Sequence, residues 1–145
     1  MDNHISKEQA FALAFAVAWN RIEKRLDSSL GAIRGISLAE YRLLRALAEA
    51  PSAWASRVDL AQAVGLTPSG VTRALRPLEK LGLISTAKSK RDARLSLASL
   101  TPAGQELVND ASTVVDEQMQ LVLARSPELS ARLDEMIGLL YGVGR

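Results

Sequence analysis

Three hydroxyl–proline pairs, Thr67-Pro68, Thr101-Pro102 and Ser126-Pro127, each stand directly before an amphipathic stretch. A Ser or Thr side chain satisfies a free N–H at a helix start, and Pro at the first helical position gives up no needed hydrogen bond. "SLAE", Ser37 to Glu40, adds a capping box, and "SRVD", Ser56 to Asp59, a weaker version of one. These signals predict six helices, at about 7–30, 38–49, 57–64, 68–82, 102–124 and 127–141. "LISTA" and "RLSLASL" alternate with the strand period around the charged turn "KSKRDA", which predicts a hairpin over about 83–100. The expected fold is mostly α with a small β-hairpin. Aromatics make up only 4% of the 145 residues, so the core must be built from Leu, Ala, Val and Ile.

The first helix is the anomaly. Phe11 to Trp19 is apolar on every side, which in a water-soluble chain implies burial all round. One domain of this size cannot easily surround such a helix. The last two helices carry stripes of their own, including Leu107, Ala111, Val114 and Leu121, then Leu133, Met136, Ile137 and Leu140. Terminal helices of two copies packed together would bury all of these, so a homodimer is expected. The alternative is a monomer that folds the helices onto its own core. The longest apolar run, Ala10 to Trp19, is half a bilayer span of about 20 residues, so no membrane segment is expected. The chain has no cysteine, which fits a reducing cytoplasm, and its single histidine, His4, lies in a polar tail. No His–carboxylate cluster suggests a metal, and no cofactor is expected.

Charge is unevenly placed. Arg57 to Arg94 holds eight Lys/Arg against three acids, a net +5, which leaves −3 for the rest of a chain with net charge +2. A basic centre between acidic flanks suits a polyanion. In the fourth helix Val71, Leu75, Leu78 and Leu81 fall on one side. Ser69, Thr72, Arg73, Arg76 and Lys80 fall opposite, within an arc of about 100°. Guanidiniums and hydroxyls without an acid are the groups that read a DNA major groove. Pro77 interrupts the same helix. It predicts either a bend after Arg76 that leaves Ser69 to Arg76 as one reading surface, or a tolerated kink without a role.

A short helix, a turn at Gly65 and a basic second helix make a helix-turn-helix, and the hairpin after it makes the unit a winged one. Here the sequence resembles the MarR family of winged-helix regulators. The resemblance rests on Val71-Thr72-Arg73, Leu78-Glu79, Gly82-Leu83-Ile84, Asp92-Ala93-Arg94 and Leu100-Thr101-Pro102-Ala103-Gly104. It implies an N-terminal dimerisation helix (1–36), a winged helix-turn-helix (37–100) and C-terminal dimerisation helices (101–145). By position, Ser69, Thr72, Arg73 and Arg76 would face the major groove. Arg94 would enter the minor groove with Asp92 bracing it. Many relatives carry a basic residue between those two; here it is Ala93, so Arg91 is a second candidate for insertion. Arg57, Thr67, Pro68, Lys80, Lys88 and Lys90 complete the candidate DNA-contacting set. The resemblance further implies a repressor controlled by a small phenolic or other lipophilic anion. It would bind where the dimerisation helices meet the winged region, with Trp19, Arg25, Tyr41 and Arg45 as contributors.

Two rivals stand beside a sequence-specific regulator: a sequence-tolerant architectural DNA binder and a protein-interaction module. An enzyme is not expected. Gly65 to Gly70 has phosphate-loop spacing, but Val71-Thr72 follows where Lys-Ser/Thr is required. Ser85-Thr86-Ala87-Lys88 matches Ser-x-x-Lys but lies in a predicted strand with no partner motif.

Overall fold

The computed structural model describes residues 4–143. The order is α1 (Lys7–Arg34), α2 (Leu38–Ala48), β1 (Ala55–Ser56), α3 (Arg57–Val64), α4 (Pro68–Lys80), β2 (Ile84–Lys88), β3 (Ser96–Leu100), α5 (Pro102–Leu123), α6 (Pro127–Ala131) and α7 (Leu133–Gly142). The three strands form one antiparallel sheet in the order β1-β3-β2. This is a winged-helix fold framed by helices at both ends of the chain.

Four of the five predicted start signals act as read; the fifth does not, since Ser126 makes no side-chain cap bond at the start of α6. Thr67 and Thr101 accept from the N–H groups of Gly70 and Gly104, and both capping boxes form, at Ser37–Glu40 and Ser56–Asp59. Helix α1 runs four residues past the expected end and stops at Gly35, whose N–H bonds back to Gly31. Helix α4 stops at Lys80, two residues early. There the N–H of Gly82 bonds to Glu79 and that of Leu83 to Leu78, the paired closure that ends a helix and turns the chain away. That early stop moves Leu81 off the apolar face, and it is exposed. The single C-terminal helix expected over 127–141 is two helices. The Arg132 N–H bonds to Leu129, three residues back, and this tightened turn breaks the stripe between α6 and α7. Strand β1 is an addition. Its two residues pair with Ala98 and Leu97, too short a run to show a period in the sequence.

The core is aliphatic. Leu30, Leu43, Leu44, Leu60, Val71, Leu75, Leu78 and Val108 are all almost fully buried, drawn from α1 to α5. At about 1.5–3 kcal/mol for each fully buried aliphatic side chain, this cluster is the main source of stability. It joins the second half of α1 to the winged region through Leu26 and Leu30. Every described residue before Ile22 lies on the surface, as do Leu139, Tyr141 and Val143 near the other end.

Candidate nucleic-acid interface

Helix α4 is held from behind by Val71, Leu75 and Leu78. Its opposite face is open: Ser69, Arg73, Arg76 and Lys80 are exposed, and Thr72 is half-buried. The Thr67 hydroxyl caps the helix and stands 3.2 Å from the Ser69 hydroxyl, so two hydroxyls crowd the N-terminus. Thr72 donates to the Pro68 carbonyl at 3.1 Å, which fixes its rotamer and leaves its oxygen free to accept. Helix α3 meets α4 across Gly65, whose φ of 71° is left-handed backbone that suits glycine. Pro77 offers no N–H, so the Arg73 carbonyl loses its helical partner on an exposed stretch; the helix nonetheless continues to Lys80.

The wing is bound to this helix. Glu79, near the end of α4, accepts from the Thr86 hydroxyl of β2 at 2.7 Å. Arg57, at the start of α3, reaches the Ser96 carbonyl of β3 at 3.3 Å. At the tip, Ser89 and Leu95 close the hairpin, N–H to carbonyl, at 2.8 Å. One oxygen of Asp92 accepts from the Arg94 backbone N–H at 3.0 Å and from its Nε at 3.3 Å, while the Arg94 side chain stays 93% exposed. A carboxylate that grips both ends of an arginine holds its charge outward with less freedom than an isolated side chain has. Arg91 is exposed and tied only through its backbone to Ser89. Lys88 and Lys90 are exposed as well.

Two contacts tie the winged region to the framing helices, and two more tie α1 to α5. Asp27 of α1 accepts from the first N–H of α2, at Leu38, at 2.6 Å. Tyr41 of α2 meets Ser112 of α5 at 3.0 Å, and Arg25 of α1 donates to Gln118 of α5 at 2.9 Å. Arg34 pairs with Asp110 at 3.2 Å. The start of α5 is clamped too: the Thr101 hydroxyl donates to the Gly82 carbonyl at 2.6 Å, and a Cβ on Gly104 would overlap the Leu83 carbonyl oxygen. Motif position drew attention to Gly104, but the backbone that crowds it was not readable from sequence.

The four expected effector residues do not gather in one place. Tyr41 and Arg45 line a cavity of about 650 Å³ between α2 and α3. Arg25 lines a separate one of about 250 Å³ between α1 and α5, beside Arg21 and Arg125. Trp19 lies half-exposed on α1. Arg45 is already paired with Glu49 at 3.0 Å. Among the described residues, no helix is long and apolar enough to cross a membrane.

A profile of the MarR family matches residues 34–95. An HTH-type transcriptional regulator of Bacillus subtilis (strain 168) is 30% identical over 112 residues, covering 77% of this chain and 67% of that protein. The homoprotocatechuate degradative operon repressor of Escherichia coli is 32% identical over 105 residues, 69% of this chain and 70% of the repressor. Among solved structures, a MarR family regulator from Streptomyces coelicolor in complex with DNA superposes with a TM-score of 0.81 at 25% identity, covering 96% of this chain and 89% of the other. A MarR family regulator from Rhodococcus reaches 0.85 at 18% identity, with coverage of 97% and 96%.

Proposed function

The chain belongs to the MarR family of DNA-binding transcription regulators, and from that premise we propose that it works as a homodimeric, ligand-responsive repressor of a pseudo-palindromic operator. The observation that carries the DNA-reading part is the front of α4, where exposed Arg73 and Arg76 stand beside hydroxyls at a capped N-terminus, with no acid among them. Ser69, Thr72, Arg73 and Arg76 read the major groove, and the helix N-terminus with Thr67 and Pro68 receives a phosphate. Arg57 at the start of α3, Lys80 at the end of α4, and Lys88, Lys90 and Arg91 of the wing contact the backbone. Arg94, held outward by Asp92, enters the minor groove.

The homodimer reading rests on the uncovered apolar surface of α1 and α7, with Phe11 63% and Tyr141 72% exposed. Residues 1–36 and 101–145 then join the copies, and 37–100 read DNA. A twofold dimer presents its two α4 helices about 34 Å apart, one helical turn of DNA. Repression follows the operon repressor among the relatives, and a DNA-bound regulator works in the cytoplasm. The effector is a small phenolic or lipophilic anion at the junction of the dimerisation helices and the winged region; of the four residues expected to hold it, Arg25 lines the cavity between α1 and α5 that lies there. It acts only if it binds one spacing of the two reading heads better than the other.

Selection of binding sites from random duplex DNA at fixed salt tests the reading. The expected outcome is an enriched inverted repeat with half-sites one helical turn apart. Equal affinity for every duplex would leave the architectural binder, and no affinity at physiological salt would leave the protein-interaction module.

A further inference from the structure

We propose that the cavity between α2 and α3 is a second small-molecule site, and that its ligand is a flat aromatic zwitterion with a carboxylate at one end and an ammonium at the other. The proposal rests on the DNA-binding reading for its consequence but not for its chemistry. At about 650 Å³ the cavity has the size of a small-ligand site. Trp54 and Tyr41 are among the residues that line it, and their side chains are of the kind that stacks on an aromatic ring.

The charges in the wall decide the ligand class. Two arginines, Arg42 and Arg45, and two acids, Glu49 and Asp59, line the cavity. Such a wall is balanced and does not favour a plain anion. Arg45 and Glu49 satisfy each other at 3.0 Å. Arg42 and Asp59 remain, each with spare capacity. Arg42 spends one nitrogen on the Val64 carbonyl at 2.9 Å, and a guanidinium has five N–H groups to give. Asp59 accepts from the Ser56 N–H at 3.5 Å, at the outer limit of a hydrogen bond. These two anchor points mark opposite ends of α3. Val64 is its last residue and Asp59 its third, a separation of about 7.5 Å along the axis at 1.5 Å per residue. A para-substituted benzene with a carboxylate and an aminomethyl group is of that order of length and matches both signs.

The same residues connect the cavity to the reading head. Arg42 satisfies the C-terminal end of α3, and Asp59 is half of the capping box at its N-terminal end. A ligand that engages both side chains draws on the two fastenings of the helix that supports α4. Trp54 leads through Ala55 and Ser56 straight into α3. Beside it Ala53 sits at φ 62°, a left-handed conformation that a residue with a Cβ adopts at a cost. Strain in a four-residue approach to α3, next to a half-exposed indole, marks the segment that responds when the cavity is filled.

The test is calorimetric titration of the full-length protein with 4-(aminomethyl)benzoic acid, with benzoate and benzylamine as single-charge controls. The expected result is saturable binding, one ligand per chain, with each control at least about tenfold weaker, since one charge-assisted hydrogen-bonding anchor is missing. Arg42→Gln and Asp59→Asn should each weaken binding by about the same factor. The Asn side-chain oxygen can still accept from the Ser56 N–H, so a matched melting curve shows that Asp59→Asn acts on the ligand and not on the fold. Saturating ligand should lower affinity for the selected operator. No saturable heat, benzoate binding as tightly as the zwitterion, or an unchanged affinity in both variants would overturn the site. Ligand binding with unchanged operator affinity would overturn its connection to α3. Operator binding by the unliganded protein is measured in the same series, so failure of the site and failure of the DNA-binding reading are separable.

Discussion

The winged region and the ends of the chain use the same aliphatic alphabet to opposite effect. From α2 to the first half of α5 most of the apolar side is inside: Leu43, Leu44, Leu75, Leu78 and Val108 are buried, and what remains on α4 is basic. In the first half of α1 and in α7 the apolar side is outside, with Phe11, Leu13, Leu139 and Tyr141 all more than half exposed. The winged region is finished by its own chain. The ends are not. Exposed apolar surface of this extent marks a place where another molecule packs, and on α1 it includes the stacked pair Phe11 and Phe15, with ring centroids 5.9 Å apart.

The largest expected effect comes from breaking this division at the N-terminus. Deletion of residues 1–20 removes the uncovered half of α1 and leaves Leu26 and Leu30 in the core. The expected outcome in a sizing experiment is loss of the dimer or aggregation. Operator affinity should fall by at least about a hundredfold, because linked half-site binding is lost. A soluble, dimeric truncation that binds its operator normally would remove the role given to that helix.

Gly104→Ala sharpens the comparison from the other side, since it acts at the first turn of α5, where that helix packs against the winged region. The new Cβ meets backbone, the Leu83 carbonyl, which cannot rotate away. A stability loss of about 1–3 kcal/mol is expected in denaturant unfolding, with the oligomeric state unchanged. Unchanged stability would mean that the start of α5 and the α4–β2 turn are less tightly held than the Thr101–Gly82 and Gly104–Leu83 contacts indicate.

Arg73→Ala acts on the open face of α4. If Arg73 reads a base, the affinity loss is about 1–3 kcal/mol and concentrates at one operator position per half-site. An equal loss on every sequence, measured against a panel of single-base operator variants, would place Arg73 with the phosphate contacts.

The winged region was also the more legible half of the molecule. Its helix starts are written in single residues, Ser37, Ser56, Thr67 and Thr101, because a cap is a local bond between neighbours three apart. What bonds across distance left no mark. Asp27 caps α2 from eleven residues away, Arg42 reaches the end of α3 from another helix, and Glu79 finds Thr86 only once the wing has folded back. Leu81 fitted the apolar side of an ideal helix, and it became exposed because the helix ended first. The division of α6 from α7 at Arg132 has no Gly or Pro to announce it. The effector residues were chosen for chemistry, and the fold distributed them over separate places because Arg25 and Arg45 sit on helices that face different neighbours.

The smallest expected effects concern the wing, where the two arginines are the contrast in miniature: one held, one loose. Arg94 is gripped by Asp92 at backbone and side chain, and Arg91 is not. A narrow, A·T-rich minor groove carries enhanced negative potential, and a pre-set guanidinium profits most from it. Arg94→Ala should therefore lose more affinity for operators with A·T-rich flanks than for those with G·C-rich flanks, outside the bases read by Arg73. Asp92→Ala should show a weaker form of the same loss, because it removes the brace and leaves the charge. Arg91→Ala should lower the slope of log affinity against log salt by about one, with little flank dependence, as for a lost phosphate contact. The reverse pattern, a large flank-dependent loss at Arg91 and none at Arg94, would mean that Arg91 enters the groove and that the Asp92 contact holds Arg94 out of it. If neither substitution changes affinity, the hairpin does not touch DNA, and the reading surface ends with α4.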